Sequence, residues 1–182
     1  MSSLNRCDTF VVFPTDLGWM ALLGSADDMV RHLTFGYPTE DEAILALQAV
    51  EFRKTLPGAE GGPLMRRLQA YASGHRDDFR DVRVDLGRQT EFRKRVYRFC
   101  RTIPYGETLT YGELATLAGS PGAARAVGRA MAANQVPLIV PCHRVKPSSG
   151  GLGGFSSPGG VIMKRRLLDL EAGSPTGAGR LG

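Results

Sequence analysis

Residues 109–145 read LTYGELATLAGSPGAARAVGRAMAANQVPLIVPCHRV, and the reading of the whole 182-residue chain turns on them. Thr110 and Glu113 have the spacing of a capping box ahead of Leu114, Leu117 and Ala118, so a short helix starts there and stops at Gly119. Ser120-Pro121 then offers an N-cap with proline at the first helical position. Ala123–Ala133 is rich in helix formers and ends at Asn134, a residue that tolerates the left-handed conformation. Two helices joined by a tight glycine-containing turn predict a helix-turn-helix. Its second helix presents Ala123, Ala124 and Gly128 around Arg125 and Arg129. Side chains this small either let the helix approach a nucleic acid closely, with little reading of base edges, or pack against another helix.

The stretch continues through an apolar, proline-stiffened run, Val136–Pro141, into Cys142-His143-Arg144-Val145. Proline before the cysteine favours an extended approach, which fixes where the thiol is delivered. Cys7 and Cys100 read as small core residues, whereas Cys142 has an adjacent imidazole, a nearby guanidinium and a downstream loop, SSGGLGGFSSPGG (148–160), suited to shaping a pocket with backbone groups. On an extended chain Cys142 and His143 point to opposite sides, so a bridging water is needed to connect them. His143 also needs an acidic orienter. Only Asp169 and Glu171 follow it, on or just after a helix expected over Lys164–Leu170, and Glu171 at the helix end is the better placed.

Outward from this centre the charge is uneven. Residues 1–87 hold 9 Lys/Arg and 13 Asp/Glu, whereas residues 88–170 hold 13 and 4. A strongly basic second half predicts a polyanionic partner, most simply nucleic acid. Three cysteines, an odd number, suggest neither a disulfide framework nor a zinc knuckle. The apolar runs are too short to span a membrane, and MSSLNRCDTF is polar where a leader peptide would be apolar, so an intracellular protein, cytoplasmic or nuclear, is expected.

The first half predicts an antiparallel meander over Thr9–Pro14, Gly18–Leu23 and Val30–Phe35. A helix over 40–53 opens on the Thr39/Glu42 capping box, Leu56–Pro63 is expected as loop, and a helix over Leu64–Ala72 ends at Gly74. A short strand is expected near Val82–Leu86. Thr90 can cap a helix that carries Phe92, Val96, Phe99 and Ile103 on one face and most of its arginines on the other. The expected class is α/β in the α+β sense, with a sheet-and-helix domain (1–87), a mainly helical domain (88–172) and a glycine-rich, disordered tail (173–182).

PCHRV (141–145), with GETLTYGELA (106–115), ARAVGRAM (124–131) and Asn134, resembles the O6-alkylguanine-DNA alkyltransferases, the methylated-DNA–protein-cysteine methyltransferases. The likeness is dense over roughly 90–171 and faint before it. It implies a monomer that binds double-stranded DNA from the minor groove, flips out an O6-alkylguanine or an O4-alkylthymine, and moves the alkyl group irreversibly to Cys142. No cofactor is implied. His143 would act through water, held by Glu171, and Asn134 would hydrogen-bond the backbone near the cysteine. Arg125 would fill the gap left by the flipped nucleotide, with Thr110, Tyr111, Ala123, Ala124 and Gly128 against the DNA. Met131 and Phe155 would line the pocket, while the Val145 carbonyl and the Ser156 amide read the guanine edge and the Tyr111 hydroxyl meets ring N3.

The sequence departs from many relatives in three ways: Asn134-Gln135 replaces Asn-Pro, Phe155 replaces tyrosine, and the Ser156–Gly160 loop is slightly longer than in some. Some relatives bind a structural zinc in the first domain; Cys7 has no nearby second cysteine, so no metal is expected. A thiol hydrolase or protease, a helix-turn-helix regulator and a non-catalytic lesion sensor are the competing readings. The thioether product is what separates alkyl transfer from hydrolysis, because it offers no carbonyl for water to attack.

Overall fold

The computed structural model describes residues 8–25, 29–48, 55–57 and 62–173. Strands β1 (Asp8–Phe13), β2 (Trp19–Gly24) and β3 (Val30–Tyr37) form the expected meander, each antiparallel to the next. The β1–β2 turn is closed at both ends. Thr15 Oγ1 donates to the Gly18 carbonyl at 2.6 Å and accepts from the Leu17 amide at 3.1 Å.

Helix α1 (Glu40–Gln48) begins where the capping box predicts, the Glu42 amide donating to Thr39 Oγ1 at 3.3 Å. The rest of the helix expected over 40–53 lies outside the described residues. Leu56–Pro63 is not loop throughout: Thr55–Pro57 forms β4, parallel to β1. Among the described residues the main sheet thus has four strands in the order β3-β2-β1-β4. Backbone pairing over only three residues builds β4, and proline is tolerated in it because the strand lies at the sheet edge.

Both faces of the sheet are apolar, which turns it into a wall between two packed layers. Ala21 and Leu23 of β2 pack with Ala43 and Leu47 of α1. Met20, Leu33 and Phe35 point the other way, into a core shared with the second half of the chain. That core takes in Leu68 and Tyr71 of α2 (Pro63–Ala72), Val96 and Cys100 of α3 (Glu91–Cys100), and buried residues from every later helix. The proposed division at residue 87 follows charge and element type, while the packing runs continuously across it.

The segment between α2 and α3 is tied down. Arg67 forks onto Asp77 and Asp81, with N–O distances of 2.7–2.9 Å, and Arg101 donates to the carbonyls of Phe79, Arg80 and Val82. The strand expected near Val82–Leu86 shrinks to one parallel bridge, Val84 beside Val30, made by Val30 N to Arg83 O and Asp85 N to Val30 O, each 2.9 Å. Asp85 then turns the chain away by accepting from the Gly87 amide.

Thr90 caps α3 by accepting from the Arg93 amide at 3.3 Å. Strand β5 (Leu109–Thr110) runs parallel to β6 (Val145–Lys146), and α4 (Tyr111–Leu117) carries both halves of the Thr110/Glu113 capping box. Helix α5 (Ala124–Ala132) starts later than Ser120-Pro121 suggested. Gly122 takes φ +84°, so Ser120–Ala123 closes a turn, Ala123 N to Ser120 O at 3.1 Å, and the helix begins only beyond it. Helix α6 (Gly160–Glu171) is a turn longer at its start than expected and reaches Glu171.

Gly18 has φ +98°, and a Cβ there would lie 2.8 Å from the Tyr37 carbonyl oxygen. Gly18→Ala should lower the unfolding free energy by about 2 kcal/mol or more, from left-handed strain plus the backbone collision, read as a shift in the urea midpoint.

Candidate active site

Helices α4 and α5 pack through Leu114, Ala115 and Ala118 against Val127, Ala130 and Met131, all buried. Helix α3 braces the pair: Tyr97 donates to the Ala130 carbonyl at 2.9 Å, and Arg95 Nε to the Ala118 carbonyl at the end of α4 at 3.0 Å. Arg125 and Arg129 stay exposed on α5. Between Arg125 and the 147–156 loop lies a cleft of about 580 Å³. Tyr111, Ala124, Arg125, Gly128, Met131, Cys142, Phe155 and Ser156, eight of the residues expected at the site, all line it.

The strap after α5 delivers the sulfur. Asn134 does not take the left-handed conformation; its side chain works instead. Oδ1 accepts from the Val136 amide at 3.1 Å, and Nδ2 donates to the Val140 carbonyl at 2.8 Å and to Cys142 Sγ at 3.2 Å. The strap is pinned to the sheet by Leu33 N to Gln135 O at 2.9 Å. Leu138 is held at φ +69°, a cost of about 1–2 kcal/mol that its burial in the core offsets.

Cys142–Arg144 is one turn of 3-10 helix rather than extended chain, with the Arg144 amide donating to the Pro141 carbonyl at 2.9 Å. The turn sends Cys142 to the cleft and His143 into the interior, where it is fully buried. His143 Nε2 lies 2.8 Å from Glu171 Oε1. A carboxylate accepts only, so this contact places the ring proton on Nε2 and leaves the Nδ1 lone pair as the base. Nδ1 is buried and has no partner among the described residues.

Glu171 gathers more than sequence could show. Arg144 Nε and a terminal nitrogen grip its two oxygens at 2.9 and 2.8 Å, the Gly106 amide donates to Oε2 at 3.1 Å, and the Tyr71 hydroxyl donates to Oε1 at 2.5 Å. Arg144 in turn donates to the Ile103 carbonyl at 2.7 Å and to Asp78 at 3.0 Å. Burial alone would raise the Glu171 pKa, but the His143 and Arg144 contacts hold it well below the usual carboxylate range. Burial pushes His143 down despite Glu171, which keeps the imidazole neutral at pH 7.

Burial also pushes the Cys142 thiol up, opposed by the Asn134 donor and by the charge of Lys164. Lys164 is itself fully buried, its Nζ donating to the Val145 carbonyl at 2.7 Å. The Val145 oxygen expected to read the guanine edge therefore already has one partner. Val145, Thr110 and Ala123 stand outside the cleft lining: Thr110 is engaged in the capping box, and Ala123 is the N-cap of α5. Tyr71, Asp78 and Lys164 were not signalled by sequence, since their partners lie far along the chain; Arg144 was noted only as a neighbouring charge.

Among the described residues no cluster of His, Cys, Asp or Glu could hold a metal ion, and Cys7 lies outside them. No helix among them is long and apolar enough to cross a membrane.

Residues 91–173 match the family model described as 6-O-methylguanine DNA methyltransferase, DNA binding domain. The methylated-DNA–protein-cysteine methyltransferase of Mycobacterium tuberculosis (strain ATCC 25618 / H37Rv) is 51% identical over 115 residues, 63% of this chain and 67% of the relative. That of Methanothermobacter thermautotrophicus is 36% identical over 142 residues, 75% of this chain and 78% of the relative. The crystal structure of Mycobacterium tuberculosis OGT in complex with DNA superimposes with TM-score 0.74 at 36% identity, covering 91% of this chain and 93% of that one.

Glu171→Gln should cost about 3 kcal/mol of unfolding free energy at pH 7, because it removes the buried carboxylate charge from Arg144 and leaves the guanidinium only the partly exposed Asp78 as counter-ion. The folded-state pKa of Glu171 lies below its ordinary value of 4.5, so the stabilisation is complete above that pH and fades as pH falls toward the folded value. Urea titrations should therefore show wild type and variant far apart at neutral pH and converging in strong acid.

Proposed function

The chain belongs to the methylated-DNA–protein-cysteine methyltransferase family, and from that membership we propose that it acts on O6-alkylguanine in duplex DNA with Cys142 as the acceptor. Its activity is DNA repair by alkyl transfer. The observation that carries the assignment of Cys142 is its sulfur at the floor of the cleft beside the helix-turn-helix, 3.2 Å from the Asn134 amide, with the His143–Glu171 pair buried behind it.

The alkyl group sits on the pairing edge of the base, so the nucleotide must leave the stack, at a cost of a few kcal/mol. A monomer approaches through the minor groove. Ala124 and Gly128 keep the α5 surface low enough for close contact, while exposed Arg125 occupies the space the nucleotide vacates. The extruded base enters the cleft between Tyr111, Met131 and Phe155.

Cys142 transfers its proton through one water to His143 Nδ1, and the Glu171 carboxylate stabilises the imidazolium that forms. The Asn134 amide and the Lys164 ammonium stabilise the thiolate. A sulfur–carbon bond then forms as the carbon–O6 bond breaks, its electron pair passing to guanine. The Tyr111 hydroxyl, which burial keeps protonated, and the Ser156 amide stabilise the developing charge on the leaving base. The product is a thioether, so each molecule acts once and no cofactor enters. A helix-turn-helix regulator or a lesion sensor would instead bind DNA equally well after Cys142→Ala and form no covalent product.

Incubation with an O6-methylguanine duplex should place one methyl group per protein, on the Cys142 peptide, by peptide mass mapping. Multiple turnovers or an unmodified peptide would overturn the assignment. Arg125→Ala should slow repair of duplex by about tenfold or more and leave reaction with free O6-benzylguanine nearly unchanged, since only the duplex requires extrusion. Equal losses on both would make Arg125 a structural residue.

A further inference from the structure

A groove of about 300 Å³ lies between α3 and the segment that follows α2, and it shares no lining residue with the cleft at Cys142. Lys94 and Arg98 line it from α3, Arg101 from the α3 C-cap and Arg80 from the facing segment, and no carboxylate lines it. Four like charges around one groove repel one another, and the protein offsets them only in part. The α3 dipole supplies about half a negative charge at its C-terminal end. Glu91 pairs with Lys94 at 2.8 Å, while Asp78 stands 3.8 Å from Arg80 and is held more closely, at 3.0 Å, by Arg144. Arg98 and Arg101 make no ion pair among the described residues. Asp81 favours the Arg101 charge from farther off but is already forked by Arg67. Arg101 spends Nη2 on the carbonyls of Phe79, Arg80 and Val82, which fixes the guanidinium in the groove wall.

The spacing suits an extended anion. Residues 94 to 101 cover about 10 Å of helix axis, and one DNA strand carries about three phosphates over that length. A phosphodiester backbone alternates anionic oxygens with apolar sugar faces, and Val84, Leu86 and Val140 give the groove apolar surface beside its cations. Tyr97, which also lines the groove, donates to the carbonyl of Ala130 on the buried side of α5, whereas Ala124, Arg125 and Gly128 border the cleft. A duplex laid on the cleft side of α5 therefore leaves the groove open to another.

We propose that the groove formed by Arg80, Lys94, Arg98 and Arg101 binds the phosphate backbone of a second segment of DNA, separate from the one whose base enters the cleft. One molecule then holds two stretches of DNA at once, and anchorage through the groove leaves the cleft free to test bases on the other stretch. The contact is electrostatic and reads no bases. It does not depend on which residue accepts the alkyl group.

Sedimentation of the protein with an excess of labelled, undamaged duplex about one helical turn long tests this by counting duplexes per protein. Wild type should bind two at low salt, the second with a slope of about −3 in log K against log salt, as three neutralised phosphates require. Combining Lys94→Gln with Arg98→Gln should weaken the second duplex by about tenfold or more, while the single-turnover rate on an O6-methylguanine duplex stays within about twofold, which also shows that the variant is folded. The same loss of charge at two other exposed positions, Arg76→Gln with Arg165→Gln, should leave the second duplex bound. One duplex per wild-type molecule, a second duplex that the groove variant retains, equal weakening by the two double variants, or a repair rate that falls with the second duplex would each overturn the proposal. So would calorimetric binding of inorganic pyrophosphate to wild type without a second duplex, which would make the groove a site for a small free anion. The duplex count does not involve the sulfur, so failure of the Cys142 assignment and failure of this inference are read separately.

Discussion

The Glu171 carboxylate is the interaction on which the site depends. It is a buried anion at the last residue of α6, and an unpaired charge in that position would be expelled or protonated. Here it is shared by His143, the Nε/Nη2 edge of Arg144, the Tyr71 hydroxyl and the Gly106 amide. Those groups come from α2, the loop after α3 and the 3-10 turn, so one carboxylate on α6 fixes the mutual positions of four separate pieces of chain. It also fixes the histidine tautomer. The Nε2 proton is committed to the carboxylate, which leaves only Nδ1 to act as base. Support and chemistry therefore cannot be varied independently at this residue.

Asn134 does the corresponding work on the other side of the sulfur. One amide side chain closes the strap through Val136 and Val140 and then presents its remaining donor hydrogen to Cys142. Because the strap is hydrogen-bonded to β3 through Gln135, the sheet fixes where the thiol stands. That link gives the first half of the chain a physical role at the site although it supplies none of the groups expected to react. The Asn134-Gln135 pair, with proline delayed to Pro137, is accommodated because the Gln135 carbonyl is used by β3 and the Asn134 side chain does not depend on the residue that follows it.

Much of this was legible in sequence where a feature is local. The meander follows from short apolar runs separated by turn residues at hairpin-like intervals, and the caps at Thr39, Thr90 and Thr110 follow from spacing. The path of the chain at Cys142 was misread because a proline predicts extension only for the residue before it; the turn Cys142–Arg144 lies after Pro141 and is set by packing. Strand β4 was hidden because three residues carry no periodicity, and the strand expected at Val82–Leu86 was overcalled for the converse reason, an alternating stretch that finds only one pairing partner. Tyr71 and Lys164 could not have been found by any local rule. Tyr71 reads as core on its helix, and it becomes part of the site only because Glu171, 100 positions away, is brought to it.

Burial at Cys142 works against ionisation, since it raises the pKa of the sulfur proposed to react as a thiolate. In an enzyme that turns over, this would be a defect. A protein that spends its nucleophile once faces a different constraint, because any adventitious electrophile that reaches the sulfur destroys the molecule. Raising the thiol pKa keeps the thiolate population low in the free protein, while the base, the amide donor and the buried ammonium remain poised around it. Reactivity then depends on an electrophile held in line within the cleft, where even a minor thiolate population reacts at high effective concentration. The same burial that slows the sulfur in isolation thus protects it from unselective loss, and the rigid network anchored at Glu171 is compatible with that because no product has to be released from the sulfur afterwards.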